Sequence, residues 1–207
     1  MEAPHNSLAA DAANAPVAHA APGETQAGAA PAGETQAGAA PAGETPVTAR
    51  LDVTSPEQMQ ALGRRIAGLL RPGDLVMLSG ELGAGKTTLT RGLGEGLGVR
   101  GAVTSPTFVI ARVHPSLGTG PALVHVDAYR LGGGLDEMED LDLDVSLPES
   151  VVVVEWGDGK VEELSDDRLH VVIHRAVGDT DDERRSVTLV GIGARWSGLR
   201  AGLEAAH

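Results

Sequence analysis

The sequence of 207 residues contains no cysteine, and only 2% of its residues are aromatic. The absence of cysteine excludes disulfide bonds and thiolate metal sites. The chain also lacks any apolar run of about 18 residues, and it does not begin with the basic and apolar segments that are typical of export signals. These absences predict a cytoplasmic protein that is not inserted in a membrane.

Basic residues are scarce, with 16 Lys and Arg against 29 Asp and Glu, which gives a formal net charge of −13. An acidic surface repels the phosphate backbone of nucleic acids, so binding of RNA or DNA over a broad basic face is not expected. A single local site can still be positive.

The first 48 residues contain almost no large apolar side chains. They are rich in Ala, Gly, Pro, Glu and Thr, and a ten-residue repeat begins at Gly23, recurs at Gly33 and starts again at Gly43. A segment that buries so little apolar surface cannot offset the entropy cost of ordering its backbone. We therefore predict a disordered tail at residues 1–48 and one folded domain at residues 49–207.

The folded part is organised around a glycine-rich segment. Residues 80–87 read GELGAGKT and match the pattern G-x-x-x-x-G-K-[ST]. An apolar run at residues 75–78 precedes this segment, and a helix-like pattern at residues 88–97 follows it. The order of strand, loop and helix predicts a phosphate-binding loop. The alternative is a glycine-rich turn that contains a lysine by chance, and such a turn would not need a strand before it and a helix after it.

The residue types in this loop suit ATP and Mg²⁺. Glycines allow backbone N–H groups to turn toward phosphates, Lys86 is placed to reach the β- and γ-phosphates, and Thr87 offers a hydroxyl to Mg²⁺. The N-terminus of the following helix adds partial positive charge. The predicted nucleotide-binding residues of the loop are Gly80, Glu81, Leu82, Gly83, Ala84, Gly85, Lys86, Thr87 and Thr88.

A helix is predicted before the loop. Ser55 suits the N-cap, Pro56 the first helical position, and Gln58 completes a capping box. Apolar residues then recur at helical spacing until Pro72 and Gly73. We interpret this element as a packing helix, and the alternative is that its start lies beside the adenine.

Asp127 lies in an alternating segment that predicts a strand. His125, Asp127 and Tyr129 would share one face of that strand. The segment is either a half-exposed edge strand or the strand that brings a metal-orienting acid to the nucleotide. For His125 alone, a hydrogen-bonded structural role is the better interpretation.

Glu155 follows four consecutive valines, residues 151–154, which predict a buried strand. Ligands of open parallel sheets bind outside the C-terminal ends of the strands, so Glu155 should reach the same edge as the phosphate-binding loop. We predict that Glu155 positions Mg²⁺ or water rather than forming a structural ion pair.

Other segments predict further elements. Residues 104–108, TSPTF, form either an ordinary turn or a switch that senses the γ-phosphate. Residues 136–144 are acidic and predict a short amphipathic helix and loop. Residues 168–176 and 185–190 predict an antiparallel hairpin appended to the sheet, and residues 196–206 predict a final helix.

Four segments together resemble the TsaE family, also called YjeE. They are GELGAGKTT from Gly80, SPTF from Ser105, HVDAYRL from His125 and VEW from Val154, within residues 50–190. The resemblance implies an ATPase of tRNA threonylcarbamoyladenosine biosynthesis that works with TsaB and TsaD. These partners would place the threonylcarbamoyl group on N6 of A37 in tRNAs reading codons that begin with A, so tRNA would be reached only through the complex.

The resemblance also implies roles for individual residues. Thr87 and Glu155 would hold Mg²⁺, while Thr107 and Asp127 would be the switch and catalytic-side positions. Arg184 or Arg185 would match an arginine near the nucleotide. The tail before Arg50 departs from the family pattern, so the resemblance implies nothing about it.

The predicted fold is an α/β, P-loop NTPase-like mixed sheet flanked by helices, and the predicted activity is Mg²⁺-dependent ATP hydrolysis. No arginine finger is evident near the loop, which predicts slow turnover without partners. The rival functions are a small-molecule kinase and a nucleotide-dependent binding module. The kinase is disfavoured because residues 131–150 contain no Arg or Lys, which a closing lid usually supplies.

Deleting residues 1–48 is expected to leave the thermal midpoint and the ATP affinity nearly unchanged, because that composition buries little apolar surface. Thermal unfolding of the full-length and shortened chains measures this directly. A midpoint several degrees lower in the shortened chain would show that part of the segment belongs to the folded domain.

Overall fold

A computed structural model describes residues 45–106, 110–130, 143–159, 161–175 and 184–206. Most of the predicted tail lies outside the described residues, as do Thr107, Phe108 and most of the acidic segment at residues 136–144. Within the described ranges, no helix is both long enough and apolar enough to cross a membrane.

The described residues form one seven-stranded sheet and four helices. The strands are β1 (Val47–Val53), β2 (Leu75–Ser79), β3 (Ala111–His114), β4 (Ala122–Asp127), β5 (Ser150–Glu155), β6 (Arg168–Arg175) and β7 (Arg185–Ile192). The helices are α1 (Pro56–Ala67), α2 (Lys86–Leu97), α3 (Leu143–Ser146) and α4 (Leu199–Ala205). Short 3₁₀ turns occupy Ala128–Arg130, Leu147–Glu149, Glu162–Leu164 and Ala194–Trp196.

The sheet is mixed, with the strand order β1-β7-β6-β2-β5-β4-β3. The four neighbouring strands β6, β2, β5 and β4 are parallel, and the remaining pairs are antiparallel. Both the mixed α/β sheet and the flanking helices were predicted from the sequence and are confirmed. Because β2, β5 and β4 run in the same direction, their C-terminal ends meet at one edge of the sheet.

The start of α1 follows the predicted capping pattern with one difference. The Ser55 side chain accepts a hydrogen bond from the Gln58 backbone N–H at 3.3 Å, and Pro56 is the first helical residue. The Gln58 side chain accepts from the backbone N–H of Thr54 at 2.9 Å, one residue before the N-cap. The cap therefore forms as predicted, while its reciprocal bond shifts by one residue.

Helices α1 and α2 pack closely on one face of the sheet. The close approach requires glycine at position 92, because a Cβ there would collide with the backbone carbonyl of Gln60 in α1. Leu89 and Leu93 of α2 and Ile66 of α1 are fully buried in the core on this face. This packing fixes α2, and therefore the loop in front of it, against the sheet.

Strand β1 was missed by the sequence analysis. It includes Val47 and Thr48, which had been assigned to the tail, and it pairs along its whole length with β7. Five of its seven residues are Val47, Thr48, Ala49 and Leu51, which are half-buried, and Val53, which is buried, while Arg50 and Asp52 are exposed. The strand therefore carries no apolar run that would distinguish it from the neighbouring tail. The deletion that tests the tail alone is therefore residues 1–44.

The predicted antiparallel hairpin forms, and the structure shows where it joins the sheet. Strand β6 lies between β7 and β2 and runs parallel to β2, so the hairpin joins the sheet through β6. Residues 168–173 of β6 are all buried, as this interior position requires. Strand β4 is interior as well, and it ends at Asp127, which places Tyr129 in a turn rather than on the strand.

A buried ion pair ties the C-terminal region to the start of β2. The Arg195 guanidinium donates to both carboxylate oxygens of Asp74, at 3.0 and 2.8 Å, and also to the carbonyl of Leu69. The Asp74 side chain is 5% exposed and that of Arg195 is 16% exposed. These two parallel hydrogen bonds stabilise the N-terminal end of β2, which is opposite the end that leads into the glycine-rich loop.

Asp74→Ala is expected to lower the free energy of unfolding by about 3 kcal/mol, because the mutation leaves a mostly buried guanidinium without its carboxylate. The matched control is Glu95→Ala, which removes the exposed pair with Arg64. That variant should lose less than about 1 kcal/mol, as exposed pairs usually do. Equal losses in urea unfolding of the two variants would contradict the structural importance of the buried pair.

Candidate functional site

The glycine-rich loop connects the end of β2 to the first residue of α2. Its three glycines have positive φ angles, 147° at Gly80, 78° at Gly83 and 112° at Gly85. A Cβ at Gly80 would also collide with the carbonyl of Ile173 in β6. Glycine can therefore adopt the backbone conformation at these three positions, whereas most other residues cannot.

Lys86 points back into the loop. Its Nζ donates to the carbonyl oxygens of Gly80 at 2.8 Å and Glu81 at 3.0 Å, and it lies 3.8 Å from the centre of the Trp156 ring. Burial lowers the pKa of Lys86, while Glu155 and Asp127 oppose this shift. The loop thus holds a largely desolvated cation, and Trp156 covers it.

Glu155 is held by two side chains at the end of β5. The hydroxyl of Thr87 lies 3.1 Å from Glu155 Oε1, and His125 Nε2 lies 2.9 Å from the same oxygen. Because the carboxylate only accepts, both groups donate to it. His125 is fully buried, and Glu155 is 4% exposed. Glu155 thus has a fixed orientation toward the first turn of α2.

Asp127 ends the neighbouring strand, directly beside Glu155 in the parallel register. Its Oδ1 accepts a hydrogen bond from the backbone N–H of Tyr129 at 3.1 Å. A cavity of about 230 Å³ brings most of the predicted site residues together. It is lined by Leu82, Gly83, Gly85, Lys86, Thr87, Thr88, Ser105, Asp127, Glu155 and Trp156.

A second cavity, of about 110 Å³, lies on the other side of the loop. It is lined by Ser55, Pro56, Met59, Gly83, Ala84, Gly85, Thr88 and Arg185. The start of α1 therefore does lie beside the loop. Of the two candidate arginines, Arg185 lines this cavity, whereas Arg184 precedes β7 and is exposed.

The donor set fits Mg²⁺ bound together with a nucleotide. Mg²⁺ prefers oxygen ligands and is usually held by one or two protein groups and by phosphates. Thr87 and Glu155 provide a hydroxyl and a carboxylate that already touch each other. Among the described residues, no cluster of three or more His, Cys, Asp or Glu is arranged to hold a metal.

Three features of the site were not predicted from the sequence. The bond from His125 to Glu155 joins two strands whose pairing the sequence does not specify. Trp156 has a positive φ of 62°, so no strand periodicity shows where its ring points. A polar cluster of Ser79, Asp158 and His170 lies beneath the loop, and its members are far apart in the chain.

A comparison with protein families finds one match that covers most of the folded chain. The model described as "Threonylcarbamoyl adenosine biosynthesis protein TsaE" matches residues 53–186. The matched region contains every predicted site residue.

Relatives and a solved structure agree with this match. The chain is 81% identical over 139 residues to a tRNA threonylcarbamoyladenosine biosynthesis protein TsaE of Streptomyces coelicolor, covering 67% of this chain and 94% of the relative. It is 41% identical over 146 residues to the TsaE of Bacillus subtilis, covering 70% of this chain and 87% of the relative.

The crystal structure of YdiB from Bacillus subtilis shares the fold, with a TM-score of 0.62 and 32% sequence identity. The superposition covers 78% of this chain and 97% of YdiB. The family match, the relatives and the shared fold lead to one conclusion: the chain belongs to the TsaE family of tRNA threonylcarbamoyladenosine biosynthesis proteins.

Proposed function

We propose that this protein hydrolyses ATP, with Mg²⁺, to serve the formation of threonylcarbamoyladenosine in tRNA. The observation that carries the proposal is the convergence of Lys86, Thr87 and Glu155 on one cavity. A cation, a hydroxyl and a carboxylate at the mouth of a glycine-rich loop are the groups that phosphoryl transfer requires.

The loop and Lys86 bind the phosphates in this proposal. Backbone N–H groups of the loop and the N-terminus of α2 attract the anion, and Lys86 lies at the base of the same loop. Because Lys86 is already partly desolvated, its attraction to a phosphate is stronger than that of a fully hydrated lysine. It keeps its carbonyl partners and turns a remaining N–H toward the γ-phosphate.

Thr87 and Glu155 hold the metal, and His125 keeps Glu155 in place. A Mg²⁺ ion held by these two side chains would neutralise charge that develops on the phosphates during transfer. The buried bond from His125 fixes the orientation of the Glu155 carboxylate, as hydrogen-bonded partners of metal ligands generally do. Asp127, on the adjacent strand, orients the attacking water, and Thr107 remains the proposed switch position outside the described residues.

The second cavity accommodates the base side of the nucleotide. Pro56 and Met59 offer apolar surface there, while Ser55 and Arg185 offer polar groups. Gly83, Gly85 and Thr88 line both cavities, so one nucleotide can extend from one cavity to the other. This arrangement favours the interpretation that the start of α1 lies beside the adenine over a packing role alone. It also favours Arg185 over Arg184 as the arginine near the nucleotide.

Turnover is proposed to be slow until TsaB and TsaD bind. Within the described part of the chain, no arginine lines the cavity that contains Lys86 and Glu155, so an element that stabilises transition-state charge has to come from elsewhere. Leu82 and Tyr129 stand beside this cavity with 88% and 70% of their surfaces exposed, as suits a protein partner. The net charge of −13 supports contact with tRNA only through the complex.

Incubation with labelled ATP separates this proposal from its two rivals. Free phosphate is the product expected of a hydrolase, a phosphorylated metabolite that of a kinase, and neither that of a binding module. The same experiment with and without Mg²⁺ tests the metal.

Lys86→Ala is expected to abolish measurable ATP binding while the protein remains folded, because it removes the cation of the loop from a site for a tetraanion. Calorimetric titration measures the affinity, and thermal unfolding checks the fold. Arg64→Ala, which removes an exposed cation from α1, is the control and should bind ATP as the wild type does. Unchanged affinity in Lys86→Ala would refute the phosphate-binding assignment.

Glu155→Gln is expected to bind ATP but to hydrolyse it about 10²-fold more slowly, or slower still, since one electrostatic catalytic group is lost. The loop amides and Lys86 still provide most ground-state contacts. Glu149→Gln, an exposed carboxylate before the opposite end of β5, is the matched control. Phosphate release at the wild-type rate in Glu155→Gln would remove this residue from the site.

Adding TsaB and TsaD together should raise phosphate release by the wild type, by ordering the segment around Ser105 over the γ-phosphate. Transfer RNA alone should have little effect because the protein is acidic. Stimulation by tRNA without protein partners would contradict the proposed division of roles.

A further inference from the structure

A polar cluster with two buried members, Ser79 and His170, and one half-buried member, Asp158, lies next to the start of the glycine-rich loop. It joins three elements: Ser79 ends β2, His170 lies within β6, and Asp158 lies in the turn after β5. The Ser79 hydroxyl donates a short hydrogen bond to Asp158 Oδ2 and lies 2.7 Å from His170 Nε2. His170 Nε2 is also 3.3 Å from Asp158 Oδ1.

The proton positions follow from the number of donors. Ser79 has one hydroxyl hydrogen, and the carboxylate of Asp158 receives it, so His170 must carry a hydrogen on Nε2 and donate it to Ser79 Oγ. Burial raises the pKa of Asp158, but the nearby His170 and the hydrogen bond from Ser79 outweigh it and hold that pKa below its ordinary value. Asp158 is therefore a carboxylate that accepts one hydrogen bond, from Ser79, and lies close to the His170 ring.

This cluster does not have the geometry of a nucleophilic serine. Ser79 and Asp158 both approach the same ring nitrogen, whereas a catalytic triad places the acid on the other nitrogen. Ser79 is 2% exposed and His170 is 1% exposed, so a substrate cannot reach the hydroxyl. The cluster must act on its surroundings rather than on a substrate.

Its surroundings include the backbone of Trp156. Trp156 is the one non-glycine residue with positive φ in the described part of the chain, and such a conformation in a bulky residue persists only where neighbouring contacts impose it. Two contacts anchor this turn to β2. The Trp156 N–H donates to the carbonyl of Leu78 at 3.2 Å, and two residues later the Asp158 side chain receives the Ser79 hydroxyl.

The ring of Trp156 in turn contacts Lys86. Lys86 Nζ lies 3.8 Å from the ring centre, a separation at which the face of the ring attracts the cation. The Tyr129 ring lies close to the Trp156 ring, with ring centres 5.3 Å apart and planes tilted by 55°. A shift of the turn would therefore move the ring and alter the position of the cation above it.

We propose that Ser79, Asp158 and His170 form a positioning network that holds Trp156 against Lys86 and so sets the position of the phosphate-binding cation. The expected effect on ATP binding rests on the proposed function. The effect on the position of Trp156 does not, and it can be measured without nucleotide. The three residues touch no nucleotide and act through the turn that they hold.

The structural part is tested by tryptophan fluorescence without nucleotide. The sequence has two tryptophans, and Trp196 is buried with 2% exposure, so acrylamide reports mainly on half-buried Trp156. Trp156→Phe identifies its share of the emission. Ser79→Ala and Asp158→Ala should each increase quenching of Trp156 and shift its emission to the red. Asp158→Asn keeps one acceptor oxygen for Ser79 and should give a smaller change.

The functional part is tested by ATP titration of the same variants. Ser79→Ala and Asp158→Ala should raise the ATP dissociation constant about 2- to 30-fold, the range expected when one residue of a coupled network is removed. The matched control is Asp74→Ala, which breaks a buried polar contact at the opposite end of β2. Because Asp74→Ala also releases Arg195, which lies 4.4 Å from the centre of the Trp196 ring, the emission of an Asp74→Ala, Trp156→Phe double variant is subtracted. Measured below its unfolding temperature, Asp74→Ala should then retain wild-type Trp156 emission and ATP affinity.

Each outcome has a definite meaning. Wild-type Trp156 emission in both Ser79→Ala and Asp158→Ala would overturn the network, and so would the same change in Asp74→Ala, which would indicate general destabilisation. Altered emission with unchanged ATP affinity would overturn the link to Lys86. Failure of the wild type to bind ATP would refute the proposed function instead, and the measurement without nucleotide would still decide whether the network holds Trp156.

Discussion

The parallel pairing of β2 with β5 is the constraint on which the site depends. Its register places Leu78 beside Glu155, so the strand that leads into the glycine-rich loop ends next to the carboxylate. The pairing of β5 with β4 then places Asp127 beside Glu155. Hydrogen bonds between backbones, rather than contacts between side chains, thus bring residues from three distant parts of the chain to one cavity.

Buried charge is tolerated at this edge because each charged group has partners. Lys86 is surrounded by two carbonyl oxygens and an aromatic face, and the nearby carboxylates Glu155 and Asp127 oppose the effect of burial on its pKa. Glu155 receives hydrogen bonds from Thr87 and His125. Such groups are costly to bury but need little rearrangement to receive a charged ligand, which is the condition for electrostatic catalysis.

The loop, the buried strand and the mixed α/β sheet could be predicted because their signals are local. The pattern from Gly80 to Thr87 specifies strand, loop and helix together, and the four valines before Glu155 identify an interior strand. The position of Glu155 near the loop then follows because ligands of open parallel sheets bind outside the C-terminal ends of the strands.

The errors concern features that depend on distant pairing. Strand β1 is half-exposed and has no strong pattern of its own, and its place is determined by β7. The hairpin strands were recognised, but the insertion of β6 next to β2 depends on a partner about a hundred residues earlier. The hydrogen-bonded role of His125 was predicted, but its partner Glu155 was not, and the contacts of Trp156 and His170 were missed. Each of these contacts joins strands whose order the sequence does not state.

The central claim is that Lys86, Thr87 and Glu155 form one site for ATP and Mg²⁺. The most direct test is the binding of Mn²⁺, as a paramagnetic substitute for Mg²⁺, followed by electron paramagnetic resonance with and without ATP. We expect the wild type to hold Mn²⁺ only when ATP is present, because Thr87 and Glu155 alone provide too few ligands, and Thr87→Val to hold it much more weakly. Equal Mn²⁺ binding by wild type and Thr87→Val in the presence of ATP would contradict the claim.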